Sequence, residues 1–398
     1  MQKKRVVIIG GGYGGIRVMQ RLSKVKELEV FLFDQNTYHY LQTEAYAFIA
    51  NTIKITDVTV ELRSLCETHK NASFINAEVT KVDLKNKSIN YDDKTMSYDY
   101  IVIATGSKTA FPDAIKGLRD HAFGVKALSC AFKLKQHFAK LLYDIMQRDN
   151  AYDDYVMNVV IGGAGLSGVE IAAEMAHYSN AYMQNNHMLG KGIHVHLIAS
   201  RENVLDGMDP YLQKVARQRL EELGVNILFK TRISELKEEK VILNNGESID
   251  FNFMIFTGGV NVSALARSLD CKLSDKGSIL VEHNLNLEGY TDAFAIGDVA
   301  LIKDQHEKVV PNTAQTAEKT GDIVATNIKA LLKGKKTKVQ FMRIDGVLVA
   351  LGGKHAAVTL FDTFKISGYI GYLLKSFITW QYKVQLDLEA KSWYKQNK

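Results

Sequence analysis

The chain has 398 residues, of which 46% are hydrophobic and 24% charged, which excludes a disordered chain and leaves room for about two or three domains. A formal net charge of +6 is mild for this length, and we expect no nucleic-acid partner. No apolar run reaches the roughly 18 residues of a membrane span and no signal-peptide pattern is present, so we expect no transmembrane helix.

The first 34 residues predict a β-turn-α-β unit that binds a dinucleotide. An apolar strand leads into Gly10-x-Gly12-x-x-Gly15, a helical pattern follows, and a second apolar strand ends on Asp34. Gly10 makes the tight turn, Gly12 lets the backbone approach a pyrophosphate, and Gly15 permits close helix–strand contact. The helix N-terminus favours the pyrophosphate anion, and Asp34 stands where an acid accepts hydrogen bonds from ribose hydroxyls.

Short strands and one long helix are predicted next. Alternating segments between residues 72 and 93 predict short strands, and the apolar run 98–104 predicts a buried strand. This strand stops at Thr105 and Gly106, where a small residue lets backbone lie against a ligand. Helical spacing of apolar residues predicts a helix over 127–148.

The opening motif then returns. A strand over 156–161 leads into Gly163-x-Gly165-x-x-Gly168 and a second helix, so the two glycine motifs start 153 residues apart (163 minus 10). Coincidence is a poor explanation for two complete units, and we predict two nucleotide sites. The alternative is one site and a duplicated unit that has lost its ligand.

The second unit lacks the expected acid after its second strand. The strand over 194–199 ends in Ala199-Ser200-Arg201, whereas an NAD site places a carboxylate at this point. An arginine just after the strand can accommodate a 2′-phosphate, which leaves NADPH as well as NADH open. Alternatively Glu202 or Asp206 supplies the carboxylate, or Arg201 is a solvated loop charge.

The later elements complete the pattern. A strand over 253–256 precedes Gly258 and resembles the strand end at Gly106, and an apolar strand over 293–300 carries Gly297 and Asp298 at its tip. The remaining predicted elements are a helix over 210–223 closed by Gly224, strands over 225–229 and 239–243, a helix that ends near Leu332, and a basic turn at 334–338.

These motifs resemble the two-dinucleotide-binding flavoprotein superfamily and, within it, the type II NADH dehydrogenases, which are non-pumping NADH:quinone oxidoreductases. The segments that carry the resemblance are VVIIGGGYGGI, IVIATGS, GGAGLSGVEIAAE, DAFAIGD and PNTAQTAEKTG. The resemblance implies an α/β, glutathione-reductase-like fold with two Rossmann-like domains, one for FAD and one for NAD(P)H. It implies FAD-binding segments at 1–112 and 276–333, an NAD(P)H domain at 113–275, and a C-terminal membrane-association and quinone-site region at 334–398.

The resemblance also implies roles for single residues. Glu170 would lie near the nicotinamide and flavin rings, and Gln315 would flank the quinone edge of the flavin. The chain departs from the family motif at Lys319, which replaces a second glutamine. The resemblance implies FAD ligands at Gly10, Gly12, Gly15, Asp34, Thr105, Gly106, Gly297, Asp298 and Ala314. It implies NAD(P)H ligands at Gly163, Gly165, Gly168, Ser200, Arg201 and Gly258. The implied quinone contacts are Gln315, Lys375 and Ile378.

The C-terminal stretch 366–384 carries apolar residues at helical spacing, with four lysines around the apolar face. This mixture predicts an interfacial helix on a membrane, with Trp380, Tyr382, Trp393 and Tyr394 as candidates for headgroup depth. The alternative is an amphipathic helix packed on its own domain or on a second subunit. The resemblance implies a peripheral homodimer at the cytoplasmic face of the cell membrane, using menaquinone or ubiquinone.

Other activities receive less support from the sequence. Three widely spaced cysteines without CxxC spacing predict reduced, buried thiols, and no metal-binding pattern occurs. Sulfide:quinone oxidoreductases need a pair of cysteines at the flavin, and no cysteine follows Cys271. A soluble reductase for an iron–sulfur protein and a redox-sensing nucleotide-binding protein remain alternatives. His39 lies between two tyrosines, which predicts a packed histidine over a proton donor.

Overall fold

The computed structural model describes residues 3–147, 156–188, 192–361 and 363–396, with side chains described as far as Ser392. The side chains of Trp393 and Tyr394 therefore lie outside the described residues. Two parallel sheets form the body of the protein, and an antiparallel sheet with one long helix completes it.

The first part of the chain supplies ten strands and three helices in the described residues. The strands are β1 (Lys4–Ile9), β2 (Leu28–Asp34), β3 (Tyr38–Tyr40), β4 (Thr59–Glu61), β5 (Ala72–Asn76), β6 (Val79–Asp83), β7 (Ser88–Tyr91), β8 (Lys94–Ser97), β9 (Tyr100–Ile103) and β10 (Ser107–Thr109). The helices are α1 (Tyr13–Leu22), α2 (Ala45–Ile49) and α3 (Leu62–Glu67).

The middle part repeats the alternation of strands and helices. Its strands are β11 (Ala122–Phe123), β12 (Val156–Gly162), β13 (Gly192–Ile198), β14 (Asn226–Leu228), β15 (Ile233–Lys237), β16 (Lys240–Leu243), β17 (Ser248–Asp250), β18 (Phe253–Phe256) and β19 (Val260–Val262). Its helices are α4 (Leu118–His121), α5 (Leu128–Met146), α6 (Leu166–Asn185), α7 (Pro210–Glu222) and α8 (Ala264–Arg267).

The last part contains short strands, an antiparallel sheet and two long helices. Its strands are β20 (Ile279–Leu280), β21 (Ala293–Ala295), β22 (Ala300–Leu301), β23 (Gly346–Ala350), β24 (Ala356–Leu360) and β25 (Phe364–Gly368). Its helices are α9 (Ala314–Leu332) and α10 (Tyr369–Gln396).

The two parallel sheets have the same strand plan. The first has the order β21-β9-β1-β2-β5 and the second has β11-β18-β12-β13-β14, so β1 and β12 occupy the same central position. Both central strands are runs of apolar residues buried on both faces, as expected where helices cover a parallel sheet. The glycine turns that follow β1 and β12 therefore lie at the carboxyl edge of each sheet, where open α/β sheets bind ligands.

Most predicted strands and helices are confirmed, and the strand predicted over 293–300 is shorter than expected. β21 ends at Ala295, and a short 3₁₀ turn follows over Gly297–Val299. Gly297 has a φ of +65°, a left-handed conformation that ends the extended run and that glycine adopts without strain. The next strand, β22, belongs to a different sheet. The turn at Asp298 is thus a sharp corner rather than a strand tip.

The helix predicted from residue 366 begins later and ends later. Ile366 lies in β25 and pairs with Val358 of β24, and α10 starts only after Gly368, which has a φ of +77°. The prediction failed at this end because apolar residues of the β25 edge happened to fit helical spacing. The antiparallel sheet β23-β24-β25 was not anticipated from the sequence.

Helix α10 turns polar side chains inward as well as the apolar Leu386 and Ala390. Lys375 is only 8% exposed and Tyr382 packs on the aromatic rings of Tyr13 and His39, so neither lies at the rim of an exposed apolar face as predicted. Glu389 accepts hydrogen bonds from His69 Nε2 (2.6 Å) and Gln20 Nε2 (2.6 Å). The large apolar side chains that remain exposed on this helix are Tyr369, Ile370, Leu373, Phe377, Ile378, Trp380 and Leu388.

Among the described residues, no helix is both long enough and apolar enough to cross a membrane.

Candidate functional site

The first and third glycines of both turns are required by close backbone packing. A Cβ atom at Gly15 would collide with the carbonyl oxygen of Gly10, and one at Gly168 would collide with that of Gly163. Gly10 and Gly163 also have φ values of +114° and +117°, which disfavour any side chain. The two turns therefore have the same local geometry for the same steric reason.

The middle glycines differ, because no described residue fills the space beside them. A Cβ at Gly12 or Gly165 would have no atom of the described residues within 4 Å. Each is the N-cap of its helix, α1 or α6, and neither helix carries an acid in its first turn. Free backbone N–H groups and the helix dipole thus face an open, anion-accepting space at both turns. This geometry fits the pyrophosphate of a bound dinucleotide such as FAD.

Asp34 lies beside the first turn at the end of β2. Its Oδ2 accepts a hydrogen bond from the backbone N–H of Gly11 (2.7 Å), and its Oδ1 accepts one from Asn36 N (2.7 Å). Burial raises the pKa of this carboxyl group, and the two backbone donors partly offset that effect. The carboxylate is thus held at the place where an adenosine ribose would lie.

The equivalent position of the second turn has no carboxylate. Ala199 follows β13 and is buried, while the Arg201 guanidinium is largely exposed. Of the two acids that stood as alternatives, Glu202 pairs with Lys230 (2.6 Å), and Asp206 lies 3.9 Å from Arg201. Neither therefore takes the place of the missing acid in the described structure.

Two further strand ends meet between the sheets. Ser107 of β10 pairs with Val262 of β19, and the Ser263 hydroxyl donates to Thr105 Oγ1 (3.2 Å). Gly106 has a φ of +61°, and a Cβ at Gly258 would collide with the ring of Phe256. The predicted small residues at both strand ends are thus required by the backbone path that joins the two sheets.

Asp298 lies in a polar network at the corner after β21. Its Oδ2 accepts hydrogen bonds from the Ser107 hydroxyl (2.7 Å) and the Lys126 ammonium (2.8 Å), and both members of the ion pair are mostly buried. Ala314 begins α9 just beyond. Sequence reasoning missed Lys126, because a lone lysine before a helix carries no motif.

Gln315 is held by the chain segment before β23. Its Oε1 accepts a hydrogen bond from the backbone N–H of Asp345 (2.9 Å), which leaves the Nε2 amide hydrogens to donate. Lys319, at the position that departs from the family motif, pairs with the Asp345 carboxylate (2.7 Å) and donates to the carbonyl oxygen of Arg343 (2.6 Å). The substituted lysine thus holds the backbone that orients Gln315.

Glu170 is partly buried and bound to the other end of β23. Its Oε1 accepts a hydrogen bond from Ala350 N (3.0 Å), and Glu174, one turn later, accepts one from Gly353 N (3.1 Å). Because α6 begins at Leu166, Glu170 lies beyond the first turn and does not cap its own helix. The simple electrostatic role at a helix N-terminus therefore does not explain this residue.

Lys375 reaches the same region from α10. Its ammonium donates to Glu44 Oε1 (3.0 Å) and to the Tyr46 hydroxyl (2.9 Å), and Thr379 also donates to Glu44 (3.1 Å). Sequence reasoning missed Glu44 and Tyr46 because about 330 residues separate them from Lys375. Their only signal was a segment that changes from polar to aromatic. Ile378, three residues further along α10, is exposed.

These side chains form a buried carboxylate cluster, defined here as Glu44, Tyr46, Glu170, Glu174 and Lys375. Burial raises the pKa of Glu170 to about 7, an effect that the charge of Lys375 and the Ala350 N–H reduce, and burial also raises the pKa of Glu174. Burial alone would lower the pKa of Lys375, but Tyr46, Glu44 and Glu170 outweigh it and raise that pKa. One ammonium thus lies near three carboxyl groups, and burial opposes the ionisation of Glu170 and Glu174 more strongly than its charge favours it.

The carboxylate cluster and Gln315 form hydrogen bonds at opposite ends of β23. Gln315 binds the backbone at Asp345 and Glu170 binds it at Ala350, so five residues of extended chain, roughly 16 Å, separate the two anchor points. Glu170 and Gln315 therefore do not act on the same atom. The site is elongated, with Gln315 at one end and Glu170 at the other.

His39 is part of a packed aromatic cluster, as predicted. Its ring packs edge-on against Tyr13 (4.8 Å between centroids), and its nitrogens contact the Gly11 carbonyl oxygen (3.1 Å) and the Tyr382 hydroxyl (3.2 Å). Burial lowers the pKa of His39 to about 4, so the ring is neutral at physiological pH. It links α10 to the first glycine turn.

Among the described residues, the cysteines and the potential metal ligands form neither a disulfide nor a metal site. Cys66 is buried as expected, whereas Cys130 and Cys271 are partly exposed, and all three are free thiols. Within the part of the chain that the structure describes, no group of His, Cys, Asp or Glu side chains is arranged to hold a metal ion.

Two sheets of the same plan, each with a glycine turn open to an anion, define a protein with two dinucleotide-binding sites. The chain belongs to the pyridine nucleotide-disulphide oxidoreductase family, whose model matches residues 4–321.

Similar proteins are known by sequence and by structure. The chain is 28% identical over 363 residues to the type II NADH:quinone oxidoreductase of Staphylococcus saprophyticus, with 89% of each protein covered. Its fold resembles NDH2 from Plasmodium falciparum in complex with NADH, with a TM-score of 0.85, 16% identity and 98% of each chain covered. It also resembles the sulfide:quinone oxidoreductase of Aquifex aeolicus, with a TM-score of 0.81, 19% identity, and 97% and 92% of the two chains covered.

The second glycine turn allows a test that separates folding from binding. Gly165→Ala adds a methyl group to open space, so we expect an unchanged melting temperature and NADH binding weakened about tenfold or more. Gly168→Ala forces the methyl group against the Gly163 carbonyl oxygen and should lower the melting temperature. Calorimetry would measure both quantities. A Gly165→Ala protein that binds NADH normally would contradict the assignment of the open space.

The pKa of Glu170 predicts a pH-dependent stability. Burial raises this pKa from 4.5 to about 7, so the folded protein holds the proton more tightly than the unfolded chain and loses stability as pH rises through that window. In Glu170→Gln the side chain does not titrate, so its free energy of unfolding does not fall with pH for this reason. Between pH 5 and 8 its free energy of unfolding should therefore improve by about 2–3 kcal/mol relative to wild type.

Urea denaturation at several pH values measures this difference. Glu78→Gln, which alters an exposed carboxyl group, is the matched control and should follow the wild type. Parallel stability profiles for wild type and Glu170→Gln would show that Glu170 is already ionised in the folded protein at pH 5.

Proposed function

We propose that this protein is an FAD-dependent NADH:quinone oxidoreductase. The observation that carries the proposal is the combination of two open glycine turns with a buried carboxylate cluster between them and α10. The type II NADH:quinone oxidoreductase of Staphylococcus saprophyticus aligns with 89% of the chain, which supports the same activity here. When bound, FAD accepts a hydride from NADH and passes two electrons to a quinone.

Each of the two parallel sheets binds one of the two nucleotides. The first sheet, built from segments 1–112 and 276–333, holds FAD, and the second, within 113–275, holds NADH. The FAD-binding residues are Gly10, Gly12, Gly15, Asp34, Thr105, Gly106, Gly297, Asp298 and Ala314; those for the nicotinamide nucleotide are Gly163, Gly165, Gly168, Ser200, Arg201 and Gly258. Lys126 joins the first set through its ion pair with Asp298.

Glu170 and Lys375 serve proton transfer. A carboxyl group with a pKa of about 7 exchanges its proton readily at neutral pH, which suits a general acid or base. Lys375 keeps its charge because Glu44 and Glu170 lie nearby, so its ammonium stabilises the anion that develops as a quinone is reduced. The buried position excludes bulk water and strengthens both effects.

Gln315 acts as a hydrogen-bond donor to the quinone. The Asp345 backbone N–H can only donate, so the carboxamide oxygen of Gln315 must face it and the Nε2 group is left for a substrate oxygen. Lys319 and Asp345 hold that orientation through their ion pair. Ile378 contributes an apolar surface near the entry of a lipid-soluble substrate.

A sulfide:quinone oxidoreductase is the alternative with the same fold. That chemistry needs a pair of cysteines at the flavin, but the three cysteines of this chain are free thiols separated in the fold. Cys66 lies in α3, Cys130 lies in α5, and Cys271 precedes β20. The thiols therefore favour NADH as the electron donor over sulfide.

The exposed apolar face of α10 supports attachment to a membrane surface. Phe377 and Trp380 are 56% and 58% exposed, although aromatic side chains of this size are normally buried. The polar face of the helix is already packed against the protein, so the apolar face is left for lipid, from which a quinone would enter. We place the protein as a peripheral protein at the cytoplasmic face, with menaquinone or ubiquinone as acceptor. A second copy in a homodimer is the competing occupant of this face.

The two half-reactions test the proposed residues separately. In anaerobic stopped-flow measurements, Gln315→Leu should leave flavin reduction by NADH unchanged and slow re-oxidation by a soluble quinone about tenfold or more. Glu170→Gln should slow flavin reduction itself. The control Gln218→Leu, on the exposed face of α7, should leave both rates unchanged.

Each variant can contradict its own assignment. Normal re-oxidation in Gln315→Leu would remove this residue from the quinone site, and normal flavin reduction in Glu170→Gln would remove that residue from the NADH half-reaction. Absence of flavin reduction in the wild type would contradict the proposed function as a whole.

Membrane attachment is tested by co-sedimentation with phospholipid vesicles. Phe377→Glu places a charge in the exposed apolar face and should lower vesicle binding about tenfold or more, because burying one phenylalanine contributes roughly 1.5–3 kcal/mol. Phe132→Glu changes another exposed phenylalanine, on α5, and should bind normally. Unchanged vesicle binding together with loss of a dimer in Phe377→Glu would show that a second copy covers this face.

A further inference from the structure

The second glycine turn differs from the first at the residue that would bind the ribose, which follows the second strand of each unit. After β2, Asp34 accepts hydrogen bonds beside its glycine turn, whereas after β13 the same place is taken by Ala199, which is buried and has no polar side-chain atom. A 2′-hydroxyl at this site would therefore find no carboxylate acceptor. The two sites of one chain thus provide an internal comparison.

The backbone after β13 is well anchored, so the identity of the following side chains decides what is recognised. Ala199 donates to Leu228 O (2.9 Å) and accepts from Thr231 N (3.0 Å), and the Arg201 carbonyl oxygen accepts from Lys230 N (3.1 Å). Leu205 N also donates to the carbonyl oxygen of Ala164, within the glycine turn (2.8 Å). The segment that carries Ser200 and Arg201 is therefore tied to the pyrophosphate site.

Charge pairing leaves Arg201 as the available cation of this segment. Glu202 is engaged by Lys230 at 2.6 Å, whereas Arg201 lies 3.9 Å from Asp206, the limit of an ion pair, with its side chain 68% exposed. A guanidinium binds a phosphate through two parallel hydrogen bonds, which is stronger than a distant contact with an exposed carboxylate. The adjacent Ser200 hydroxyl can donate to the same phosphate.

We propose that the second nucleotide site accepts a 2′-phosphorylated nucleotide, so that NADPH serves as electron donor alongside NADH, with Arg201 and Ser200 holding the 2′-phosphate. The inference rests on the proposed function and names the donor that the same site takes. Phosphate recognition replaces the missing carboxylate, since a carboxylate at Ala199 would repel the phosphate.

Binding of nucleotide fragments tests the site without any turnover. In calorimetric titrations of the FAD-loaded protein, adenosine 2′,5′-bisphosphate should bind at least about tenfold more tightly than 5′-AMP. Arg201→Ala should abolish this preference, because it weakens bisphosphate binding far more than 5′-AMP binding. Lys214→Ala, which removes an exposed positive charge from α7, is the matched control and should keep the preference. Asp206→Asn should strengthen bisphosphate binding, because it removes the competing carboxylate.

Stopped-flow flavin reduction separates this inference from the proposed function. Reduction by both NADH and NADPH, with the NADPH reaction impaired at least about tenfold more than the NADH reaction in Arg201→Ala, is the expected result. Equal affinity of the wild type for the two fragments, or a preference that survives in Arg201→Ala, would overturn the inference even if NADH reduces the flavin normally. Failure of both nucleotides to reduce the flavin, with the fragment preference intact, would overturn the proposed function and leave the phosphate site standing.

Discussion

The site depends on the backbone N–H groups of one short strand and its flanks. β23 and the residue before it present N–H groups that Gln315 of α9 and Glu170 of α6 accept, so helices from the two dinucleotide-binding units are tied to a common frame. An unpaired buried N–H is costly, so these side chains and the strand hold one another in place. Any shift of β23 would move both ends of the site together.

The same arrangement creates the electrostatic character of the site. Packing β23 against α6 removes Glu170 and Glu174 from water, and the Lys375 ammonium, whose charge acts on both carboxyl groups, is ion-paired with Glu44. Burial is the largest effect on Glu170, and the charge of Lys375 offsets only part of it. Removal from water is therefore what gives Glu170 a pKa suited to proton transfer.

Sequence reasoning succeeded where the physical requirement is local. The glycines at 10, 15, 163 and 168 are required by atoms within a few residues, so their pattern alone predicted both turns and the strands around them. It failed for the partners of Lys375 and Gln315, which come from residues far away in the chain and are selected by packing rather than by motif. The end of the antiparallel sheet was missed because Ile366, which lies in β25, also fits the helical spacing of the residues that follow.

In helix α10 both the local sequence pattern and long-range packing determine which side chains are buried. A helix at a protein surface normally buries its apolar stripe and exposes its polar one. The second half of α10 follows this rule, because Leu386 and Ala390 are buried, whereas in its first half Lys375 points inward and Phe377 and Trp380 point outward. The inward polar residues are needed to complete the carboxylate cluster and the contacts with His69 and Gln20. The exposed apolar residues are then stable only beside another apolar phase, because water disfavours so large a patch. The same helix thus supplies the buried lysine of the carboxylate cluster and the exposed apolar side chains that need an apolar surface beside them.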